Sequence, residues 1–385
     1  MHFSLPILLE AICVLGTAGS LFFYVLAGAG LISFARARRR SSQNTSYPGI
    51  SILKPLKGVD PEMWESFCSH AEQQYTTFEL IFGVSDAEDP ACEIVRKLQA
   101  QYPALPIKLV ICDRLLGANV KISNLAQMLP HATNDVLLVN DSDIRVAPNY
   151  LHEIVPLLEG SKVGLVTCLY RGVAAKTLGS RLEALSISTD FVPGVLSARL
   201  LEGGLHFGLG STLLFRRNDL AAIGGFEAFL DYLADDYELG RRIPSTGKRV
   251  ELSEVVVDTF LPPYSFGEFL NHQLRWWRTI RDARRWGYVG LIFTFGLPWA
   301  IATVLVAGGA AWAWELFGVT LAARLIVGLG TAFGALHDGS TVKKLVLLPL
   351  RDVIAPALWA AGLFGNQIHW RGDVFTLKDG KLKRT

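Results

Sequence analysis

The feature that most constrains this chain is the apolar run from Leu5 to Phe34, whose only charged residue is Glu10. It exceeds the roughly 20 residues a helix needs to cross a bilayer, so the sequence predicts a transmembrane helix. A secretory leader places positive charge before its apolar stretch and a small-residue cleavage site after it. Here the basic cluster Arg36, Arg38, Arg39 and Arg40 follows instead, so the helix is expected to stay attached. The positive-inside rule then puts the N-terminus outside and everything after Arg36 on the cytoplasmic face.

Composition supports a membrane share. Of 385 residues, 50% are hydrophobic and 19% charged, and the mean hydropathy of +0.32 is too apolar for an ordinary soluble chain. The net charge of +2, with Lys and Arg scattered, argues against a nucleic-acid partner. Cys13, Cys68, Cys92, Cys112 and Cys168 show no C-x-x-C spacing, so buried reduced thiols are expected, not a disulfide framework or zinc.

Apolar runs return near Val289–Trp312, Leu316–Leu336 and Leu345–Phe364. The last holds Arg351 and Asp352, which are costly at that depth unless paired or facing a protein cavity. A re-entrant segment is one solution. Parity favours it, because three full crossings would leave the basic tail Lys378, Lys381, Lys383 and Arg384 outside.

Between the membrane regions, Ile50–Leu53, Leu80–Val84, Ile107–Ile111, Val136–Val139 and Val163–Thr167 read as strands separated by helices. The pattern is an α/β fold with a mostly parallel sheet. Ligands of such sheets lie beyond the carboxyl ends of the strands. Polar residues gather there: Lys54, Ser85 with Asp86, and Asn140, Asp141 and Asp143.

Asp141-Ser142-Asp143 leaves a buried strand with two carboxylates one residue apart. They can offer oxygen ligands to Mg²⁺ or Mn²⁺, which combine carboxylates with substrate phosphates; the alternative is an acidic turn. Asp86 suits the uracil or ribose of a nucleotide, the alternative being an Asx-turn before Asp89-Pro90. Asp235 and Asp236 open a helix running to Ile243. Asp235 reads as its N-cap, and Asp236 as a general base taking the proton of an incoming hydroxyl. His272-Gln273-Leu274-Arg275-Trp276-Trp277-Arg278 lies on a helix ending near Trp286. Arg can neutralise diphosphate and Trp can wall an acceptor site, or Trp277, Arg278 and Arg281 can lie on the bilayer surface. Lys176–Phe207 reads either as a lipid-facing or acceptor-gating segment or as a core helix with a long connection.

In order along the chain, these motifs resemble the ceramide glucosyltransferase family, inverting transferases with a GT-A nucleotide-sugar fold. Residues 52–61 (Ile-Leu-Lys-Pro-Leu-Lys-Gly-Val-Asp-Pro) are similar to its opening strand and loop, and residues 117–125 (Gly-Ala-Asn-Val-Lys-Ile-Ser-Asn-Leu) to its characteristic loop. Asp86, Asp141 and Asp236 match its three aspartate motifs, and Arg275-Trp276 the end of its Q/R-x-x-R-W motif. The resemblance implies that Lys54, Asp86, Lys121, Asp141, Arg275 and Trp276 bind the nucleotide sugar, with Lys121 near the diphosphate. It implies Asp141 and Asp143 on the metal and Asp236 as base, leaving His272 and Asp235 as diphosphate or acceptor contacts. His272 stands where the motif has Gln or Arg. That residue, the D-S-D triplet, residues 163–172 and residues 233–237 are more similar to the bacterial hopanoid-biosynthesis glycosyltransferases.

The implied reaction moves one sugar from a UDP-sugar to a membrane-lipid hydroxyl: glucose to ceramide, or N-acetylglucosamine to a bacteriohopanoid. The expected layout is a transmembrane helix over 1–35, a basic linker over 36–49 and a cytosolic GT-A domain over 50–262. An interfacial helix over 263–287, membrane segments over 288–366 and a basic tail over 367–385 follow. A processive polysaccharide synthase shares the aspartates and the R-W motif but needs a channel, for which so few spans are insufficient. A non-catalytic membrane scaffold would have no physical reason to keep Asp141, Asp143, Asp236 and Arg275 at strand and helix ends.

Overall fold

The computed structural model describes residues 5–38, 47–160, 162–370 and 372–384. Arg39, Arg40 and most of the basic linker lie outside the described residues. The chain divides into two compact units: a helical unit built from the described residues of 1–39, 176–201 and 263–365, and an α/β unit from those of 40–175, 202–262 and 366–385.

In the α/β unit the strands are β1 (Ile50–Pro55), β2 (Phe78–Val84), β3 (Ile107–Ile111), β4 (Val136–Val139), β5 (Ile144–Arg145), β6 (Val163–Val173), β7 (Leu213–Arg216) and β8 (Arg249–Phe260). They form one sheet in the order β3-β2-β1-β4-β7-β6-β8-β5. β1 pairs in parallel with β2 and β4, β2 with β3, and β6 with β8. The mostly parallel α/β expectation holds, and all five strands read from the sequence are present. β1 and β4 are buried along their whole length, as expected for parallel strands covered on both faces. β7 runs antiparallel between β4 and β6. The parallel register of β1, β2 and β4 brings the ends of these strands, and with them Lys54, Ser85, Asp86 and Asp141, to one edge.

Residues 367–384, read from sequence as a basic tail, form β9 (Gln367–Trp370), β10 (Asp373–Lys378) and β11 (Lys381–Arg384), an antiparallel sheet in that order. Asp379 (φ 52°) and Gly380 (φ 75°) make the two-residue turn between β10 and β11, the backbone that Asp-Gly favours in hairpins.

In the helical unit, Leu5–Ala37, Ala311–Ala335 and Thr341–Gly362 are each long and apolar enough to cross a membrane. The expected segment Val289–Trp312 is corrected. Arg285–Thr294 and Gly296–Val306 are two helices bent by 57° at their junction, so the break that the sequence placed in Leu345–Phe364 falls two segments earlier. Arg351 and Asp352 are indeed paired. Arg351 Nη1 lies 2.9 Å from Asp190 and 3.4 Å from Asp352, and Arg324 bonds Asp352 at 2.8 Å and Asp190 at 3.0 Å. Asp190 sits in a π-helical turn, Ile187–Phe191, within the helix pair Leu178–Ser186 and Val192–Leu201. Of the segment read as lipid-facing or as core, residues 176–201 belong to this unit and supply the half-buried Asp190 to its ion cluster.

Candidate active site

The site grows from the carboxyl end of β4. Lys54, the last but one residue of β1, is fully buried and its ammonium donates to the Asp141 carbonyl at 2.9 Å. Its Nζ lies 3.5 Å from His70 Nε2, and His70 Nδ1 lies 2.8 Å from the Ser66 carbonyl. Since that carbonyl can only accept, His70 carries its proton on Nδ1 and offers Nε2 to the lysine. Burial, against the pull of Asp143 and Asp141, lowers Lys54 to about 7. Lys54 thus supports the aspartate motif from beneath rather than reaching out to a nucleotide.

Lys121 gathers the carboxylates. Its helix, Val120–Met128, is capped by Asn119, whose Oδ1 accepts the Ile122 N–H. From the first turn, Lys121 Nζ reaches Asp141 Oδ1 at 2.7 Å and Asp235 Oδ2 at 3.5 Å. Although burial opposes charge on Lys121, Asp141 and Asp235 hold its pKa well above the ordinary lysine range.

Asp235 is corrected as an N-cap. The cap position of the helix Asp235–Arg242 is Ala234, with no side-chain cap bond. Asp235 is instead the first helical residue and turns its carboxylate to Lys121 and to Asn119 Nδ2 at 3.4 Å. Interaction with the lysine replaces capping. Burial followed by Asp235 pushes Asp236 up to about 6, despite Lys121 and the Tyr237 N–H it accepts at 2.8 Å. Burial and Asp141 likewise raise Asp143 to about 6, against a 2.5 Å bond from Thr259 Oγ1.

One element of the site was missed in the sequence: the glycine-rich segment before β7. Gly208 N–H donates to the Asp236 carbonyl at 3.1 Å. A Cβ at Gly240 would lie 2.2 Å from the Gly208 nitrogen, so only glycine lets this backbone lie on the Asp236 helix. A Cβ at Gly210 would sit 3.2 Å from Asp236 Oδ2 and 3.4 Å from Asp141 Oδ2. Gly210 therefore keeps open the space that both carboxylates flank. Gly210→Val is expected to push them apart and lower turnover about 10²-fold, the cost of misplacing reacting groups by about 1 Å, while the thermal midpoint moves little; steady-state rates and a melting curve check it. The signal was legible as Gly203-Gly204 followed by Gly208 and Gly210.

Asp86 is exposed at the end of β2, and its Oδ1 accepts the Glu88 N–H at 3.0 Å, so the Asx-turn reading is realised. That turn fixes the orientation of the carboxylate. Arg275, Trp276 and His272 belong to the helical unit, on the helix Phe266–Ala283 with its Ser265–Glu268 capping box. His272 Nδ1 lies 3.3 Å from Glu183, and Gln273 donates to the same carboxylate at 2.9 Å. Burial alone would raise Glu183, but His272 and Gln273 keep it below its usual range. Trp276 meets His272 and Phe191 edge-on or tilted. The surface reading is corrected for Trp277 alone, since Arg278 and Arg281 are part-exposed. Trp277 is buried against Tyr288 and Phe295, and Arg278 and Arg281 donate to the Phe364 and Gly362 carbonyls at 3.1 and 2.7 Å. They satisfy carbonyls left open where the helix Leu348–Gly362 ends.

The donor set suits a hard divalent cation. Asp141 and Asp143 crowd negative charge near Asp60, Asp235 and Asp236, and the Lys121 ammonium already stands on Asp141 where a cation is favoured. Among the described residues no group of three or more His, Cys, Asp or Glu converges for a metal. A cation held by two carboxylates would take its remaining ligands from water and phosphate, as Mg²⁺ and Mn²⁺ prefer.

A family model described as Glycosyl transferase family 21 matches residues 16–383. Ceramide glucosyltransferase 3 of Caenorhabditis elegans is 24% identical, covering 97% of this chain and 83% of the relative. A ceramide glucosyltransferase of Candida albicans is 32% identical over a shorter stretch, 31% of this chain and 24% of the relative. Among solved structures, the mannosyltransferase PcManGT from Pyrobaculum calidifontis, in complex with GDP-Man and Mn²⁺, matches with a TM-score of 0.53 at 20% identity. The match covers 92% of this chain and 99% of that one. The fold is that of GT-A glycosyltransferases.

Proposed function

This chain belongs to glycosyl transferase family 21, and from that premise we propose that it moves one sugar, with inversion, from a UDP-sugar to a hydroxyl of a membrane lipid on the cytoplasmic face. The observation that carries the reading is the cluster of Asp141, Asp235 and Asp236 around the ammonium of Lys121, with Asp143 beside Asp141 and Gly210 keeping open the space between Asp141 and Asp236. One side of it suits a diphosphate and its counter-ion, the other an acceptor proton. Ceramide as the acceptor and glucose as the sugar are supported by the relatives named above. The D-S-D triplet and His272 support a bacteriohopanoid and N-acetylglucosamine as the second reading.

In the proposed reaction Asp236 takes the proton of the acceptor hydroxyl as that oxygen bonds to the anomeric carbon. The bond from that carbon to the diphosphate breaks, and the electron pair leaves with the nucleotide. In this reading Lys121 neutralises the departing phosphate, and Asp86 accepts from the uracil or ribose. A divalent cation held by Asp141 and Asp143 would supply further positive charge to the leaving group. Arg275, Trp276 and His272 are assigned to the diphosphate and acceptor on the strength of the motif. A membrane acceptor agrees with three helices able to span a bilayer. The basic Arg36–Arg40 cluster supports a cytoplasmic catalytic unit.

Asp143→Ala is expected to weaken UDP-glucose binding at least ~10-fold in the presence of Mn²⁺ and to remove most of the metal requirement. Calorimetric titrations with and without EDTA measure it, and an unchanged metal dependence would remove Asp143 from the ligand set. Acceptor and sugar are read from lipid extracts of a strain with the gene and one without it. Mass spectrometry should find one additional single-sugar lipid, and identical extracts would overturn the proposal.

A further inference from the structure

The β9–β11 sheet has a role that its basic composition conceals. Ile368, Phe375, Leu377 and Leu382 close a small core of their own around Leu233, with Ala118 packed against it. The link is also made by the backbone. Leu382 N–H donates to the Asp231 carbonyl at 2.7 Å and Leu233 N–H to the Gly380 carbonyl at 3.1 Å. The β10–β11 turn thereby pairs with the segment that ends two residues before Asp235. Lys381 Nζ lies 5.1 Å from the Tyr232 ring. From the other side, Asn119 N–H donates to the Leu230 carbonyl at 2.7 Å, Asn119 Nδ2 to the Tyr232 carbonyl at 2.7 Å, and Ala118 N–H to Asp231 Oδ1 at 3.0 Å. At the start of β10, Asp373 accepts from Lys57 at 2.9 Å, in the loop that follows β1.

We propose that this C-terminal sheet is a positioning element for transfer: by fixing residues 230–233 it sets the start of the helix that carries Asp235 and Asp236. At its beginning that helix is otherwise held through the Gly208 N–H on the Asp236 carbonyl, which lies beyond residues 230–233. Its N-cap makes no side-chain bond, and Asp235 is turned into the site rather than onto its own backbone. Without the sheet, residues 230–233 would keep the Asn119 loop and the Arg242 guanidinium 5.4 Å from the Tyr232 ring, contacts about which the segment could rotate. A second strand on its opposite side removes that freedom, and the carboxylates are then held near the orientation that transfer needs.

Leu382 allows a selective test. It faces Leu377 across the β10–β11 pair, but their N–H groups point apart, to Asp231 and to Asn366 respectively. Proline at 382 deletes the clamp bond without deleting a bond of the β10–β11 ladder, whereas alanine trims the side chain and keeps the N–H. The inference rests on Asp236 being the base. Full-length wild type, Leu382→Pro, Leu382→Ala and Asp236→Asn are compared in kcat, UDP-glucose Kd and amide exchange over 230–236. Leu382→Pro is expected to lower kcat about tenfold or more below Leu382→Ala, with donor Kd within about twofold and faster exchange at Leu233. Equal kcat in the two Leu382 variants, or parallel loss of kcat and donor binding, overturns the positioning role. Full activity of Asp236→Asn overturns the base assignment instead, so the two failures are distinct. Should Leu382→Pro not fold, the exposed Lys381→Met serves: a roughly two- to fivefold fall in kcat at constant Kd supports the role, and wild-type kcat counts against it.

Discussion

Replacing Asp236 with Asn is expected to lower kcat by about 10²–10⁴-fold, the range a positioned general base contributes, while donor binding stays within a few-fold of wild type. The side chains are nearly isosteric, so the Lys121 arrangement and the 2.8 Å bond from the Tyr237 N–H survive. The pH profile offers an independent check. Burial and Asp235 push Asp236 up to about 6, above the ordinary carboxylate value, and only its deprotonated form can accept a proton. Activity should therefore be full above that value and fall as pH drops through it. Bound metal moves the limb lower by adding positive charge. Residual activity in Asp236→Asn should lose the part of this limb that belongs to Asp236 and keep only that of Asp143, which burial and Asp141 raise to about 6.

The second large effect is on stability. Arg324→Leu removes a guanidinium that donates to Asp352, Asp190 and the Thr189 carbonyl within the helical unit, where Arg324 is only 2% exposed. Asp190 and Asp352 would then face Arg351 alone, leaving a buried carboxylate uncompensated. Breaking a buried pair in this way costs about 3–5 kcal/mol. Little of the variant should reach the folded membrane fraction, and its thermal midpoint in detergent should fall sharply. Arg324→Leu with Asp352→Leu restores charge balance and is expected to recover much of the loss. A single variant as stable as wild type would mean that the cluster is solvated rather than desolvated.

Much of the α/β unit was legible because β1, β2 and β4 are short, apolar and almost wholly buried, and because Asp86, Asp141 and Asp236 follow strands or open a helix. The buried ion cluster is a different case: Arg351 and Asp352 declared that a partner was needed, but Asp190 and Arg324 are distant in sequence and no periodicity links them. β7 was hidden behind a glycine-rich turn and runs opposite to β4, a reversal that local pattern does not reveal. The C-terminal sheet was obscured by its charge, since Lys378, Lys381, Lys383 and Arg384 read as a basic tail. Asp379-Gly380, flanked by alternating Phe375, Leu377 and Leu382, was the available hairpin signal. Asp235 shows the limit of capping rules, because a neighbouring lysine recruited a carboxylate that local propensity would spend on the helix end.

The most direct test of the central claim uses the purified full chain in lipid nanodiscs with Mn²⁺, radiolabelled UDP-glucose or UDP-N-acetylglucosamine, and ceramide or a bacteriohopanoid. Chromatography of the extracted lipids is predicted to show one labelled product carrying a single sugar, absent with Asp236→Asn and strongly reduced by EDTA. A labelled polymer, or no labelled lipid with any of these donors and acceptors, would contradict it.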